Sequence, residues 1–155
     1  MSAAFGANEK LKRVAVIGAT GSVGSSVLDV CRAHRDRLEV VALAAGRDAE
    51  KIARLAAEFE GVRRVCLASD AAASLAGSGK LPPTVRVLSG PEGLRDLAGD
   101  PEVDHVVFAS SGTAAIEALQ TALRAGREVS LANKESIVVA GTWVMPLVQR
   151  PDQLR

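Results

Sequence analysis

Two kinds of block alternate along this chain. Short, mostly apolar runs end in glycine or polar residues: Val14 to Ile17, Leu38 to Ala45, Val62 to Ala68, Thr84 to Leu88, Asp104 to Ser110 and Glu128 to Ala132. Runs of this length that lack a polar face read as strands buried on both sides. Between them, apolar residues recur three and four apart, as in Val23, Val27, Val30 and Cys31, in Ile52, Leu55, Ala56 and Phe59, and in Ile116, Leu119 and Leu123. This is the spacing of helices with one core-facing side. Strand and helix in alternation predict an α/β fold of Rossmann type, doubly wound, with a mostly parallel sheet and helices on both faces. The punctuation agrees. Asp48 stands where it caps the second helix, Ser69-Asp70 stand before a short alanine-rich helix, Pro91 opens another, and Gly126 closes one as a left-handed cap.

The first apolar run leads into Gly18-Ala19-Thr20-Gly21-Ser22-Val23-Gly24, a GxxGxxG turn between a strand and a helix. Nucleotide phosphates bind at such turns. Glycine permits positive φ, leaves room for a pyrophosphate, and lets the helix pack close to its strand, while free N–H groups at the helix N-terminus face the anion. About twenty residues further on, the second run ends in Ala44-Ala45-Gly46-Arg47-Asp48. An NAD enzyme usually has an acid at that strand end to hold the adenosine 2′-hydroxyl; a cation beside a glycine suits a 2′-phosphate, which favours NADP over NAD. In the competing reading Arg47 is a surface residue and Asp48 only a cap, and the two readings are compatible. The last apolar run ends in Asn133-Lys134-Glu135-Ser136, again at the carboxyl edge where open parallel sheets bind ligands. There Lys134 is suited to a substrate phosphate or carboxylate, and Asn133 and Glu135 to the cofactor; the plain alternative is a helix cap.

Composition narrows the class. A chain of 155 residues with 48% hydrophobic residues is one ordinary domain, and 3% aromatics without Tyr leave the core to Val, Ala, Leu and Ile. A net charge of +1 gives no general attraction to nucleic acid or acidic membranes. The longest apolar window, 137–148, is too short to span a bilayer, and residues 1–13 lack a signal-peptide core, so a cytoplasmic location is expected. Cys31 and Cys66 form no metal spacing and read as buried thiols; His34 and His105 read as structural.

The chain also resembles the 1-deoxy-D-xylulose-5-phosphate reductoisomerase family, through GATGSVG at Gly18 to Gly24, Leu28-Asp29-Val30, VVALAAGR at Val40 to Arg47, Arg124-Ala125-Gly126 and LANKES at Leu131 to Ser136. The resemblance implies an NADPH-dependent enzyme that rearranges and reduces 1-deoxy-D-xylulose 5-phosphate to 2-C-methyl-D-erythritol 4-phosphate with Mg²⁺, Mn²⁺ or Co²⁺. It implies that Thr20, Gly21, Ser22 and Val23 hold cofactor phosphates, Gly46, Arg47 and Asp48 the 2′-phosphate end, Asn133 and Glu135 the cofactor, and Lys134 the sugar phosphate. Two positions depart from the family pattern: Asp48, where Asn is common, and Ala115, where a glycine is usual. The family's acidic metal motif has no counterpart among these residues. The expected organisation is therefore a flexible segment 1–12, an NADPH-binding domain 13–150, and 151–155 beginning a linker to a catalytic domain. No catalytic residue or metal ligand is expected in these residues, and the full-length enzyme is expected to be a homodimer. The alternatives are a domain of another NADP-linked dehydrogenase and a free-standing nucleotide-binding module.

Overall fold

The computed structural model describes residues 10–110, 112–132 and 134–155. Strands and helices alternate as β1 (Lys12–Ile17), α1 (Ser22–Ala33), β2 (Leu38–Ala44), α2 (Ala49–Glu58), β3 (Arg64–Leu67), α3 (Ser69–Ala76), β4 (Arg86–Ser89), α4 (Gly90–Gly99), β5 (His105–Phe108), α5 (Thr113–Arg124), β6 (Glu128–Leu131) and α6 (Lys134–Val144), with a short 3-10 turn at Met145–Leu147. The strands form one sheet in the order β4-β3-β2-β1-β5-β6, every named pairing parallel. The order reverses at β1 and β5, and in an open α/β sheet the crevice outside those strand ends is where ligands bind.

The apolar runs are buried on both faces, as their composition demands. Val14, Ala15, Val16 and Ile17 are each no more than 4% exposed. Val14 and Val16 join a core with Leu28 and Cys31 of α1, Ile52 and Leu55 of α2, and Ala72 and Leu75 of α3; Ala15 and Ile17 join the opposite core with Leu97 of α4, Leu119 and Leu123 of α5, and Ala140 and Val144 of α6. A bulge in β2 accommodates one extra residue, since Val14 pairs with Val40 but Ala15 with Ala42, and this puts Val41 and Ala42 in the same core.

Some local expectations shift. The buried row of α1 is Gly24, Leu28 and Cys31, whereas Val23 and Val30 are 44% and 53% exposed. Gly24 lies so close to the Gly18 carbonyl that it pins this side of the helix to the sheet, and residues four and seven positions on follow it inward. The cap of α3 is Ala68, with no side-chain bond, and Ser69 already belongs to the helix. Within 151–155, where a linker is expected to begin, residues 153–155 run along β6: Val129 N–H donates to the Gln153 carbonyl at 2.7 Å and Arg155 N–H to the Val129 carbonyl at 2.9 Å. Gln153 is wholly buried there, donating to the Leu123 and Arg127 carbonyls and accepting from Gln149 N–H. It thereby binds the Leu123 carbonyl at the C-terminal end of α5 and the Arg127 carbonyl just beyond it, on either side of Gly126, which has the expected positive φ of 75°.

Both cysteines are buried free thiols. His105 has neighbours the linear sequence does not display: its register partner Glu128 lies 3.2 Å from Nδ1, and Ser130 Oγ lies 2.8 Å from Nε2. Lys12 of β1 binds the same Glu128 carboxylate at 2.8 Å. The group ties β1, β5 and β6 together at their amino-terminal ends, and burial holds the His105 imidazole below its ordinary pKa despite the acid.

Candidate functional site

The glycine turn leaves β1 at the point where the strand order reverses. Its three glycines have different physical reasons. Gly18 has φ of 86°, and a Cβ there would lie 2.8 Å from the Ala109 backbone at the end of β5. A Cβ on Gly24 would lie 2.1 Å from the Gly18 carbonyl oxygen, so only glycine allows α1 to sit this close to the turn. Gly21 is different. It is the N-cap of α1 with extended backbone, φ −79° and ψ 175°, and a Cβ there would meet only the Gly18 oxygen, at an ordinary 3.6 Å. The fold does not need glycine at this position.

The first main-chain bond of α1 is donated by Ser25 to the Gly21 carbonyl, so the N–H groups of Ser22, Val23 and Gly24 precede the ladder. No side chain caps them, and no acid stands in the first turn. Gly21, Ser22 and Val23 are exposed and Thr20 is half-buried. These are free donors at a positive helix end, open on one side, which is an arrangement suited to a phosphate. The N-terminus of α5 is similar. Gly112, with φ of 116°, caps it without a side-chain bond, and its first turn also lacks acids.

Beside the turn, β2 runs into Ala45-Gly46-Arg47-Asp48 at the head of α2. Asp48 caps that helix, accepting from Lys51 N–H at 3.0 Å. Its carboxylate is thus engaged by its own helix. Arg47 is 73% exposed and ion-paired with Asp70 of α3. Lys51, a residue for which composition and spacing suggest no role, reaches from the first turn of α2 back to the glycine turn: Nζ donates to the Thr20 carbonyl at 2.9 Å and to Ser25 Oγ at 3.4 Å.

On the other side of the strand ends lies an apolar cavity of about 300 Å³, with Ile17, Ala44 and Leu67 from three strands below it and Pro91, Leu94 and Ala115 from α4 and α5 around it. Ala115 is itself buried. Cys66 also lines the cavity, and burial, reinforced by the nearby Asp96 charge, pushes its thiol up to about 11, so it is not a nucleophile at neutral pH. The third strand end is described in part. Asn133 lies outside the described residues, and Lys134 and Glu135 open α6 directly after the end of β6.

A family model described as 1-deoxy-D-xylulose 5-phosphate reductoisomerase matches residues 14–141. The chain belongs to this family. A 1-deoxy-D-xylulose 5-phosphate reductoisomerase from Anaeromyxobacter sp. (strain K) is 43% identical over 135 residues, covering 87% of this chain and 34% of the relative. One from Desulfitobacterium hafniense (strain DSM 10664 / DCB-2) is 39% identical over 140 residues, covering 90% of this chain and 36% of the relative. The chain thus spans about a third of the length of these reductoisomerases. Among solved structures, a DOX-P reductoisomerase in complex with NADPH, fosmidomycin and magnesium superposes with a TM-score of 0.83 at 36% identity, over 93% of this chain and 35% of that one. The Zymomonas mobilis reductoisomerase in complex with NADPH superposes at 0.80 and 33% identity, over 89% and 36%. A likeness to Staphylococcus aureus homoserine dehydrogenase, at 18% identity and a TM-score of 0.58 over 95% of this chain and 31% of that one, shows the shared fold alone.

Proposed function

We propose that this chain is the NADPH-binding domain of a 1-deoxy-D-xylulose 5-phosphate reductoisomerase. The observation that carries the reading is the exposed Gly21 in front of three free N–H groups at the β1 end of the strand-order reversal. Nothing in the packing there calls for glycine, and a pyrophosphate would. In this reading the Thr20 to Val23 backbone holds the pyrophosphate, and the apolar cavity next to β2 receives the adenosine ring. Gly46 and Arg47 receive the 2′-phosphate, for which Arg47 exchanges its contact with Asp70. Asp48 departs from the family's usual Asn, and its engagement with Lys51 N–H removes much of the objection to an acid near a phosphate. Asn133 and Glu135 contact the cofactor, and Lys134 the sugar phosphate, from the third strand end.

The reaction is the conversion of 1-deoxy-D-xylulose 5-phosphate to 2-C-methyl-D-erythritol 4-phosphate, in a cytoplasmic, homodimeric full-length enzyme. NADPH supplies the hydride, and these residues hold and orient it. The divalent metal does not fit here. Among the described residues no group of three or more His, Cys, Asp or Glu side chains could hold an ion, so no step through a metal is assigned to them. Calorimetric titration with NADPH and NADH tests the reading, and tighter binding of NADPH is expected. Equal affinity would overturn the 2′-phosphate assignment of Arg47, and absence of binding would overturn the whole reading.

A further inference from the structure

Lys51 is not part of the glycine motif or of the β2 strand end, yet from just after that strand end its ammonium reaches the glycine turn. It is half-buried, on the first turn of α2, and it crosses to the Thr20 carbonyl and Ser25 Oγ. Both acceptors are neutral, and among the described residues Lys51 has no ion pair. Arg47, by contrast, is paired with Asp70, and Lys80 with Glu50. An ammonium has three donors, and two are used. The acid nearest in sequence, Asp48, is engaged with the Lys51 backbone N–H. An uncompensated cation, held by main chain and hydroxyl, therefore stands where the β2–α2 connection meets the phosphate-facing turn.

We propose that Lys51 is a specificity-determining residue of the cofactor site, placing its ammonium on the 2′-phosphate of the adenosine ribose between Thr20 and Arg47. The proposal rests on the NADPH-binding reading above. It follows from where the side chain originates. Lys51 stands on the first turn of α2, four residues after Arg47 in the connection that reads the 2′ position in dinucleotide folds, while the N–H groups of α1 take the pyrophosphate. Its bond to Thr20 fixes the ammonium before ligand arrives, so little side-chain entropy remains to be lost on binding.

The test is titration of the purified chain and of Lys51→Met with NADPH and with NADH. Met retains the apolar stem, and the backbone N–H that Asp48 caps is untouched. The expected result is about a tenfold loss of NADPH affinity, the scale of one hydrogen bond to a charged group at a part-exposed site, with NADH affinity unchanged. Lys51→Arg should keep most of the NADPH affinity. If NADPH binding is unchanged in Lys51→Met, the ammonium does not touch the cofactor and the proposal falls alone. Equal weakening of both cofactors would mean that Lys51 serves the pyrophosphate or the shape of the turn, and this too overturns the assignment. Failure of the unsubstituted chain to bind NADPH would remove the proposal together with the reading it rests on.

Discussion

Replacing Gly21 by Val separates binding from folding, because the turn's other glycines serve the fold and Gly21 does not. The backbone at φ −79° and ψ 175° lies in the extended region that Val favours, and the new Cβ would meet only the Gly18 oxygen at 3.6 Å. The folding cost is that of a poorer N-cap residue, at most about 1 kcal/mol, partly offset because Val has fewer unfolded conformations to lose. For a chain of this size the thermal midpoint should move by no more than about 4 °C. Binding should suffer far more, since the isopropyl group occupies the space in front of the Ser22 and Val23 N–H groups. Losing two charge-assisted hydrogen bonds at roughly 1.5–3 kcal/mol each corresponds to about a hundredfold to ten-thousandfold in affinity. Gly24→Ala is the contrasting variant. Its Cβ would lie 2.1 Å from the Gly18 oxygen, so α1 must shift, at a cost of about 3 kcal/mol or more. The assay is calorimetry with NADPH alongside thermal unfolding of all three chains. A Gly21→Val chain that binds NADPH normally would refute the reasoning, because the turn would then be structural only.

Two further outcomes follow from the described residues. The Arg13 guanidinium holds the Asp104 carboxyl at about 2 against an ordinary 3.8, so its contribution is complete above pH 4 and is lost as pH falls toward 2. Since the side chain is 34% exposed, about 1 kcal/mol is expected, measured as the stability difference from Asp104→Asn between pH 5 and pH 2.5. The 155 residues assayed alone with NADPH, the deoxyxylulose phosphate and Mn²⁺ should show no turnover by NADPH absorbance; substrate- and metal-dependent oxidation that disappears in Lys134→Ala would place a working site within them.

The sheet was legible because a strand buried on both faces can hardly be written otherwise than in Val, Ile, Leu and Ala, and the alternation of strands with helices made it parallel; the switch point between β1 and β5 was not, because it depends on the spatial order of the strands. Local turn and cap chemistry was legible too: the positive φ of Gly126, the Asp48 cap, the turn after Ile17. The face of α1 was legible only in part: of the expected row, Cys31 is buried and Val27 packs against the core, but Val23 and Val30 have helical spacing as good as that of the buried Gly24 and Leu28. Only the close approach of Gly24 to Gly18 decides between them. Register hid the His105, Glu128 and Ser130 group, whose members lie 23 and 25 residues apart. Lys51 was hidden for another reason: on the polar side of an amphipathic helix, a lysine is indistinguishable in sequence from a solvated one. The two kinds of information bear on different properties of the site. In the proposed site, phosphate binding rests on main-chain N–H groups, which the glycine spacing reports. In the proposed site, choice between NADPH and NADH rests on two long side chains, Arg47 from the β2–α2 connection and Lys51 from the first turn of α2, which can change while the glycine motif stays intact. Under the proposal, cofactor preference in this chain is decided where Arg47 and Lys51 reach, and the GxxGxxG turn contributes only a place for a phosphate.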